Sequence, residues 1–119
     1  MFCHLMEITY KNATVKKQCT DYAYAKKEFN VKVAEKLFAS INYIEQSVCF
    51  ADIINNPSFR FHGLTANRKG TYAIDLGKKL GFRLIVEPLN EENKSLGKEK
   101  DFEKIKQCTK IVLVVEVTN

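Results

Sequence analysis

The sequence predicts an α+β fold in a single domain that covers residues 1–119. Apolar residues recur at every third or fourth position between residues 30 and 48, which is typical of an amphipathic helix. After residue 58 they alternate with a period of two, which is typical of strands. The turns between the first predicted strands of this half are short and polar. Connections this short favour antiparallel neighbours, because a parallel crossover needs a dozen residues or more.

Two helices are predicted to form a hairpin after a first strand, "LMEITY" (5–10). The first helix begins near Thr14, whose side chain can cap the exposed amides, and its apolar stripe is only moderate. The second helix begins after Asn30, another good capping residue. Its apolar stripe is much clearer and consists of Ala34, Leu37, Phe38, Ile41, Ile44 and Val48. This stripe needs a cover, which a sheet can provide.

Four strands are predicted in the second half of the chain: "FRFHGL" (59–64), "TYAIDL" (71–76), "FRLIVEPL" (82–89) and "KIVLVVEVT" (110–118). The last is apolar on both faces through Val115, so we expect it inside the sheet. The charged segment 90–109 is predicted to be an exposed excursion with a short helix around 101–107. The predicted architecture is an N-terminal strand and a two-helix hairpin packed on a twisted antiparallel sheet of four to five strands.

Composition and charge limit the kinds of partner that this chain can bind. The hydrophobic content is 45%, the net charge is +5 and the pI is near 9.0, which favours a globular domain with an anionic partner. That partner could be nucleic acid or an acidic protein. No apolar run approaches the roughly 20 residues that span a bilayer, and the start, "MFCHLMEITY", does not read as a signal peptide. We therefore expect a cytoplasmic location and no membrane partner.

The four cysteines are spread over the chain, and none is paired at metal-ligand spacing: Cys3, Cys19, Cys49 and Cys108. They are predicted to be unpaired, mostly buried thiols in a reducing cytoplasm. A zinc site that uses His4 or His62 is the less favoured alternative. We expect no metal and no cofactor.

Side chains alternate between the two faces of an extended strand, so Phe59 and Phe61 are predicted to share one face, and Arg60 and His62 the other. If the rings pack under the helices, the arginine and the histidine face away from them. Arg83 can face the same side from its own strand. The sheet is therefore predicted to have a basic, concave face that holds one histidine. The neighbouring turns add further cations: Arg68, Lys69, Lys78 and Lys79.

The alternation does not decide which face of the sheet carries the Tyr72 side chain. It could join the basic face, or it could be a core residue, since it is spaced evenly with Ile74 and Leu76. The carboxylates Asp75, Glu87 and Glu116 lie on separate strands and are predicted to be edge or surface groups.

Guanidinium groups around one imidazole suit phosphodiester chemistry on RNA. The ribose hydroxyl attacks the neighbouring phosphate, and arginine forks stabilise the charge that develops on the phosphoryl oxygens. A histidine near its ordinary pKa can transfer a proton, a role worth roughly 10²–10⁴-fold in rate. The competing interpretation is a structural or surface histidine among ordinary solvated arginines and lysines.

The stretch "FRFHGLTANRKGTYAIDLGKKLGFRLIVEP" resembles the core of the HigB-type killer proteins of the RelE/ParE toxin superfamily. In that family an aromatic-Arg-Leu-His-x-Leu segment leads through a basic, glycine-containing turn to an aromatic-x-hydrophobic strand and an Arg-hydrophobic strand. The helix "VAEKLFASINYIEQ" is similar to the family's Ala-x-x-Leu helix. The resemblance covers about residues 6 to 119.

This resemblance implies a toxin of a type II toxin–antitoxin system. Enzymatic members of the family cut messenger RNA in the ribosomal A site without a metal, and a cognate helix-turn-helix antitoxin neutralises them. By position, His62 corresponds to the proposed proton-transfer group and Arg83 to the arginine near the scissile phosphate, with Arg60 beside them as a third catalytic candidate. RNA-binding roles are expected for the remaining candidates: Arg68, Lys69, Tyr72, Lys78 and Lys79.

The sequence departs from the family pattern at three places. Thr65 stands where a lysine is usual, and the charged segment 90–109 lengthens a hairpin that is short in typical members. Enzymatic relatives carry an Asp/Asn-Tyr-His-like cluster after the last strand, whereas this sequence stops at "VEVTN", so catalytic residues of the usual site are expected to be missing. The alternatives are a non-catalytic protein of the same fold that binds a protein such as gyrase, or a basic module that binds RNA or an acidic protein.

Overall fold

The computed structural model describes residues 5–64, 70–77 and 79–119. The described strands are β1 (Glu7–Tyr10), β2 (His62–Gly63), β3 (Tyr72–Asp75), β4 (Arg83–Leu89) and β5 (Ile111–Thr118). The described α-helices are α1 (Ala13–Thr20), α2 (Tyr22–Glu28), α3 (Val31–Gln46), α4 (Phe50–Ile54) and α5 (Phe102–Cys108), and a 3-10 helix spans Pro57–Phe59. The α+β class is therefore confirmed.

The strands form one mixed sheet in the order β1-β5-β4-β3-β2. Strands β2 to β5 pair with antiparallel neighbours, and β5 lies inside the sheet as predicted. The prediction of a fully antiparallel sheet is wrong for β1, which pairs with β5 in parallel. Almost the whole chain separates these two strands, so no short turn fixes their relative direction.

The first predicted helix is divided into α1 and α2. Asp21 is extended between them, and its side chain accepts a hydrogen bond from the Tyr24 backbone N–H at 3.1 Å, which caps α2. Asn12, and not Thr14, caps α1 by accepting from Val15 N at 2.9 Å. Three helices therefore replace the predicted two-helix hairpin, because Asp21 starts a new helix where one continuous helix was predicted.

Helix α3 supplies most of the helical part of the core. Asn30 caps it as predicted, accepting from Val33 N at 2.9 Å. The apolar stripe is buried between Val33 and Ile44, but Val48 lies beyond the end of the helix and is 51% exposed. None of the described helices is long and apolar enough to cross a bilayer.

The two faces of the sheet differ in what they carry. The inner face packs against the helices through buried residues of three strands that include Ile74, Leu84, Val86, Val112 and Val114. We call the opposite side the outer face. Paired residues of antiparallel strands share a face, so the outer face carries His62, Ala73, Asp75, Arg83, Ile85, Glu87 and Glu116.

The charged excursion 90–109 folds back on the sheet. The Leu96 backbone N–H donates to the Pro88 carbonyl at 2.8 Å, and α5 lies within one residue of its predicted bounds. Gly97 lies so close to the backbone of Gly70 that a Cβ atom at Gly97 would clash with the Gly70 carbonyl. The excursion therefore contacts the chain at the start of β3.

The described thiols are unpaired, but they are less buried than predicted. Cys19 is buried, and burial raises its pKa to about 12, whereas Cys49 and Cys108 are exposed on short segments around α4 and α5. Cys3 lies outside the described residues. Within residues 5–64, 70–77 and 79–119, no three His, Cys, Asp or Glu side chains form a group that could hold a metal ion.

Candidate functional site

The segment before β2 is not a strand, contrary to prediction. Pro57 begins the 3-10 helix, and Asn56 caps it by accepting from Ser58 N at 3.0 Å. Arg60 follows in the left-handed region, with φ 48° and ψ 45°, so strand pairing begins only at His62. Pro57 favours the start of a helical turn, and the left-handed backbone at Arg60 follows it, so residues 57–60 are not extended and the strand pattern fails here.

The rings of this segment nevertheless pack against the core, as predicted. Phe59 is 4% exposed and meets Tyr43 edge-on at 5.2 Å between ring centroids. Phe61 meets Phe50 edge-on at 5.5 Å and stacks on Tyr72 at 4.9 Å. This aromatic chain fixes the backbone that carries Arg60 and His62.

Tyr72 therefore lies on the inner side of the sheet, which was the core alternative for this residue. Burial raises the pKa of its hydroxyl. Because Ala73 and Asp75 alternate with it along β3, they face the outer side. The structure does not bring Tyr72 together with Arg83 and His62.

The left-handed turn at Arg60 orients the histidine. His62 Nδ1 lies 2.8 Å from the Arg60 carbonyl oxygen. A carbonyl can only accept, so Nδ1 carries the proton in this contact, and Nε2 is the basic nitrogen of the neutral ring. The His62 side chain is exposed, which leaves that nitrogen accessible to a substrate.

Arg60 and Arg83 line one cavity of about 240 Å³ together with Asp75. Arg60 Nε lies 3.5 Å from Asp75 Oδ2, and Asp75 is directly opposite Arg83 in the β3–β4 ladder. Two arginines from different elements therefore meet around one carboxylate. The sequence analysis identified both arginines as site candidates but took Asp75 for an edge or surface group. The predicted register of β3 opposite β4 was the signal that could have placed it beside Arg83.

His62 lies on the same face as Arg83, as the alternation predicted. His62 pairs with Ala73, two residues along β3 from Asp75, which pairs with Arg83. Ordinary sheet spacing puts the Cα atoms of His62 and Arg83 about 12 Å apart. Both side chains project from one surface, so they can approach a common ligand from two sides.

The described outer face is not uniformly basic, which corrects the predicted basic sheet face. Asp75, Glu87 and Glu116 share it with the two cationic positions. The cations that we place on this face, Arg60 and Arg83, lie where the chain turns from β3 to β4. The anion-binding region that they could form is therefore local to that end of the sheet.

Lys79 lies within this turn, on the side of α3. It lines a second cavity, of about 420 Å³, with Leu80 and two lysines of α3, Lys32 and Lys36. Both cavities are lined in part by Gly77. The lysines of α3, spaced four apart on one helical face, were not singled out from the sequence. Arg68, Lys69 and Lys78 lie outside the described residues.

A larger groove, of about 770 Å³, lies between α1 and β5. Its charged lining is mixed, with Lys11 on one side and Glu87 and Glu116 on the other. Size alone would favour this groove as the functional site. The smaller cavity is the better candidate, because two guanidinium groups line it and the histidine shares its face.

Arg60 allows a direct test of the left-handed turn. Arg60→Gly and Arg60→Ala both lose the guanidinium group, but only glycine adopts a positive φ without steric cost. We expect the glycine variant to exceed the alanine variant in free energy of unfolding by about 1 kcal/mol, measured by urea denaturation. An alanine variant of equal or greater stability would contradict the left-handed assignment.

Comparison with known protein families, with curated protein sequences and with solved structures finds no match to this chain. Function must therefore be inferred from the fold and from the chemistry of the side chains that it brings together.

Proposed function

We propose that this protein is a toxin of a type II toxin–antitoxin system that cuts messenger RNA on the ribosome. The observation that carries the proposal is the cavity lined by Arg60 and Arg83 on the sheet face that carries His62. The resemblance of residues 59–88 to HigB-type killer proteins supports the same function. So does the order of an N-terminal strand, helices and an antiparallel meander.

The chemistry follows from these groups. The ribose 2′-hydroxyl attacks the adjacent phosphorus, and His62 Nε2 takes its proton. The bond from phosphorus to the 5′-oxygen breaks, that oxygen takes up a proton from water, and the protonated His62 gives its proton to the hydroxide that is left. The products are a 2′,3′-cyclic phosphate and a 5′-hydroxyl end. Arg83 and Arg60 stabilise the charge on the phosphoryl oxygens, which is larger in the transition state than in the substrate.

The proposed partners are the ribosome with its message, and a cognate helix-turn-helix antitoxin. Cationic side chains around the site, Lys79 among them, would hold the RNA backbone without reading its sequence. Such contacts weaken steeply as salt concentration rises, because bound phosphate releases its counterions.

Expression in growing cells tests the proposal. We expect the wild-type chain to lower the rate of protein synthesis and to fragment messages, and we expect His62→Ala to restore synthesis in large part. Protein synthesis is followed by incorporation of a labelled amino acid, and message integrity by hybridisation. Lys98→Ala, which removes an exposed cation from the excursion, is the matched control and should remain toxic.

The outcomes separate the rival functions. Normal synthesis with a folded wild-type protein would contradict the toxin assignment. Intact messages together with DNA damage would point instead to a protein target such as gyrase. Binding to ribosomes with neither effect would leave a non-catalytic RNA-binding module.

A further inference from the structure

The ion pair between Arg60 and Asp75 holds a carboxylate beside both candidate arginines. Arg60 Nε contacts Asp75 Oδ2 at 3.5 Å, and all three side chains line the same cavity. Directly opposed residues of an antiparallel pair have Cβ atoms about 5 Å apart, which places Asp75 next to Arg83 as well. A negative group therefore already lies where the arginines would receive a phosphate.

The contact is weak enough to be exchanged. The Arg60 side chain is 55% exposed, so water screens the pair and the long side chain loses freedom by forming it. A phosphate group offers several oxygens to the guanidinium fork and binds it in a stronger, bidentate geometry. Asp75 itself is anchored in β3 and only 18% exposed, so it stays beside the site when Arg60 turns away.

We propose that Asp75 is a positioning residue that acts as an internal counter-ion. It holds Arg60 near Arg83 in the unliganded protein and is displaced from the guanidinium when a phosphate group binds. The identity of that phosphate as part of an RNA chain depends on the proposed function. An isolated phosphate must then compete with Asp75 for Arg60. A substrate that also binds through other contacts offsets the free energy of displacing Asp75 with the binding energy of those contacts.

Titration of the full chain with inorganic phosphate tests this role. We expect Asp75→Asn, which keeps the size of the side chain and removes its charge, to bind phosphate about three- to tenfold more tightly than the wild type. The readout is the shift of the Arg60 and Arg83 backbone amide signals in nuclear magnetic resonance spectra. Asp75→Ser serves the same purpose if the asparagine variant does not fold.

Glu92→Gln is the matched control, because it changes the net charge equally at an exposed position after β4. It should alter phosphate affinity by less than about twofold. Adding Arg83→Ala to Asp75→Asn should abolish the gain, which a merely structural role for Asp75 would not require.

Unchanged or weaker phosphate binding by folded Asp75→Asn would overturn the counter-ion role. That result is separate from failure of the proposed function, which is judged by cleavage of messages and not by phosphate affinity. Conversely, tighter binding by Asp75→Asn with no message cleavage by any variant would leave the counter-ion role standing at an anion site of another kind.

Discussion

Replacing Arg83 by alanine is expected to slow cleavage of ribosome-bound messenger RNA by about 10²–10³-fold. Arg83 lines the cavity opposite Asp75, at the end of the sheet where β3 leads into β4. A donor aimed at the phosphoryl oxygens stabilises the transition state more than the substrate, so the loss should fall on the rate of the chemical step. The measurement is single-turnover cleavage of a defined message on purified ribosomes.

Arg83→Lys is the informative companion variant. It keeps the charge but loses the planar fork, so we expect a rate between those of the wild type and Arg83→Ala. Arg83 is exposed at the start of β4, so neither change should alter the fold, and unfolding curves check this. A wild-type rate in the folded alanine variant would remove Arg83 from the site.

Replacing Phe50 by alanine is expected to lower the free energy of unfolding by about 3–5 kcal/mol. Phe50 is 0% exposed and is among the largest fully buried side chains of the described core. The loss of stability has two parts: the apolar ring is no longer buried, and a cavity remains in its place. Because domains of this size are stable by only about 5–15 kcal/mol, the variant should be largely unfolded in mild urea.

The same substitution should also affect the site. Phe50 contacts Phe61, which stacks on Tyr72, and these rings support the backbone between Arg60 and His62. Phe102→Ala is the control, since Phe102 is 39% exposed on α5 and should cost less than about 1 kcal/mol. Equal losses in the two variants would show that Phe50 is not part of the main core.

The sequence predicted the elements whose periodicity is strong and local. Helix α3 repeats apolar residues on one stripe and carries a capping asparagine, and β3 and β4 are rich in apolar residues on either side of a glycine-containing turn. The break between α1 and α2 at Asp21 could not be predicted in the same way. Asp21 ends α1 and its side chain caps the start of α2, while the apolar spacing continues almost undisturbed.

The pairing of strands that lie far apart in the sequence could not be predicted either. The parallel contact of β1 with β5 depends on which edge of the finished sheet remains available, and no local pattern encodes that edge. The left-handed turn at Arg60 was hidden for a different reason. "FRFHGL" alternates like a strand, but Pro57 and Asn56 had already directed the preceding residues into a helical turn.

The candidate site was predictable to the extent that alternation sorts side chains between faces. It put Arg83 and His62 on the same side correctly, but it treated Asp75 as an edge or surface group, because its partner Arg60 comes from outside the ladder. It also treated the outer face as basic, because the carboxylates of β4 and β5 were considered strand by strand. Register brings Glu87 and Glu116 onto that same surface.

Analysis of the cleaved ends is the most direct test of the central claim, that Arg60, Arg83 and His62 act together on a phosphodiester of messenger RNA. Purified protein is incubated with ribosomes that carry a defined message, and the downstream fragments are mapped and tested for labelling by polynucleotide kinase. Attack by the ribose hydroxyl predicts fragments with 5′-hydroxyl ends, formed only when ribosomes are present. An uncut message, or fragments with 5′-phosphate ends, would contradict the claim.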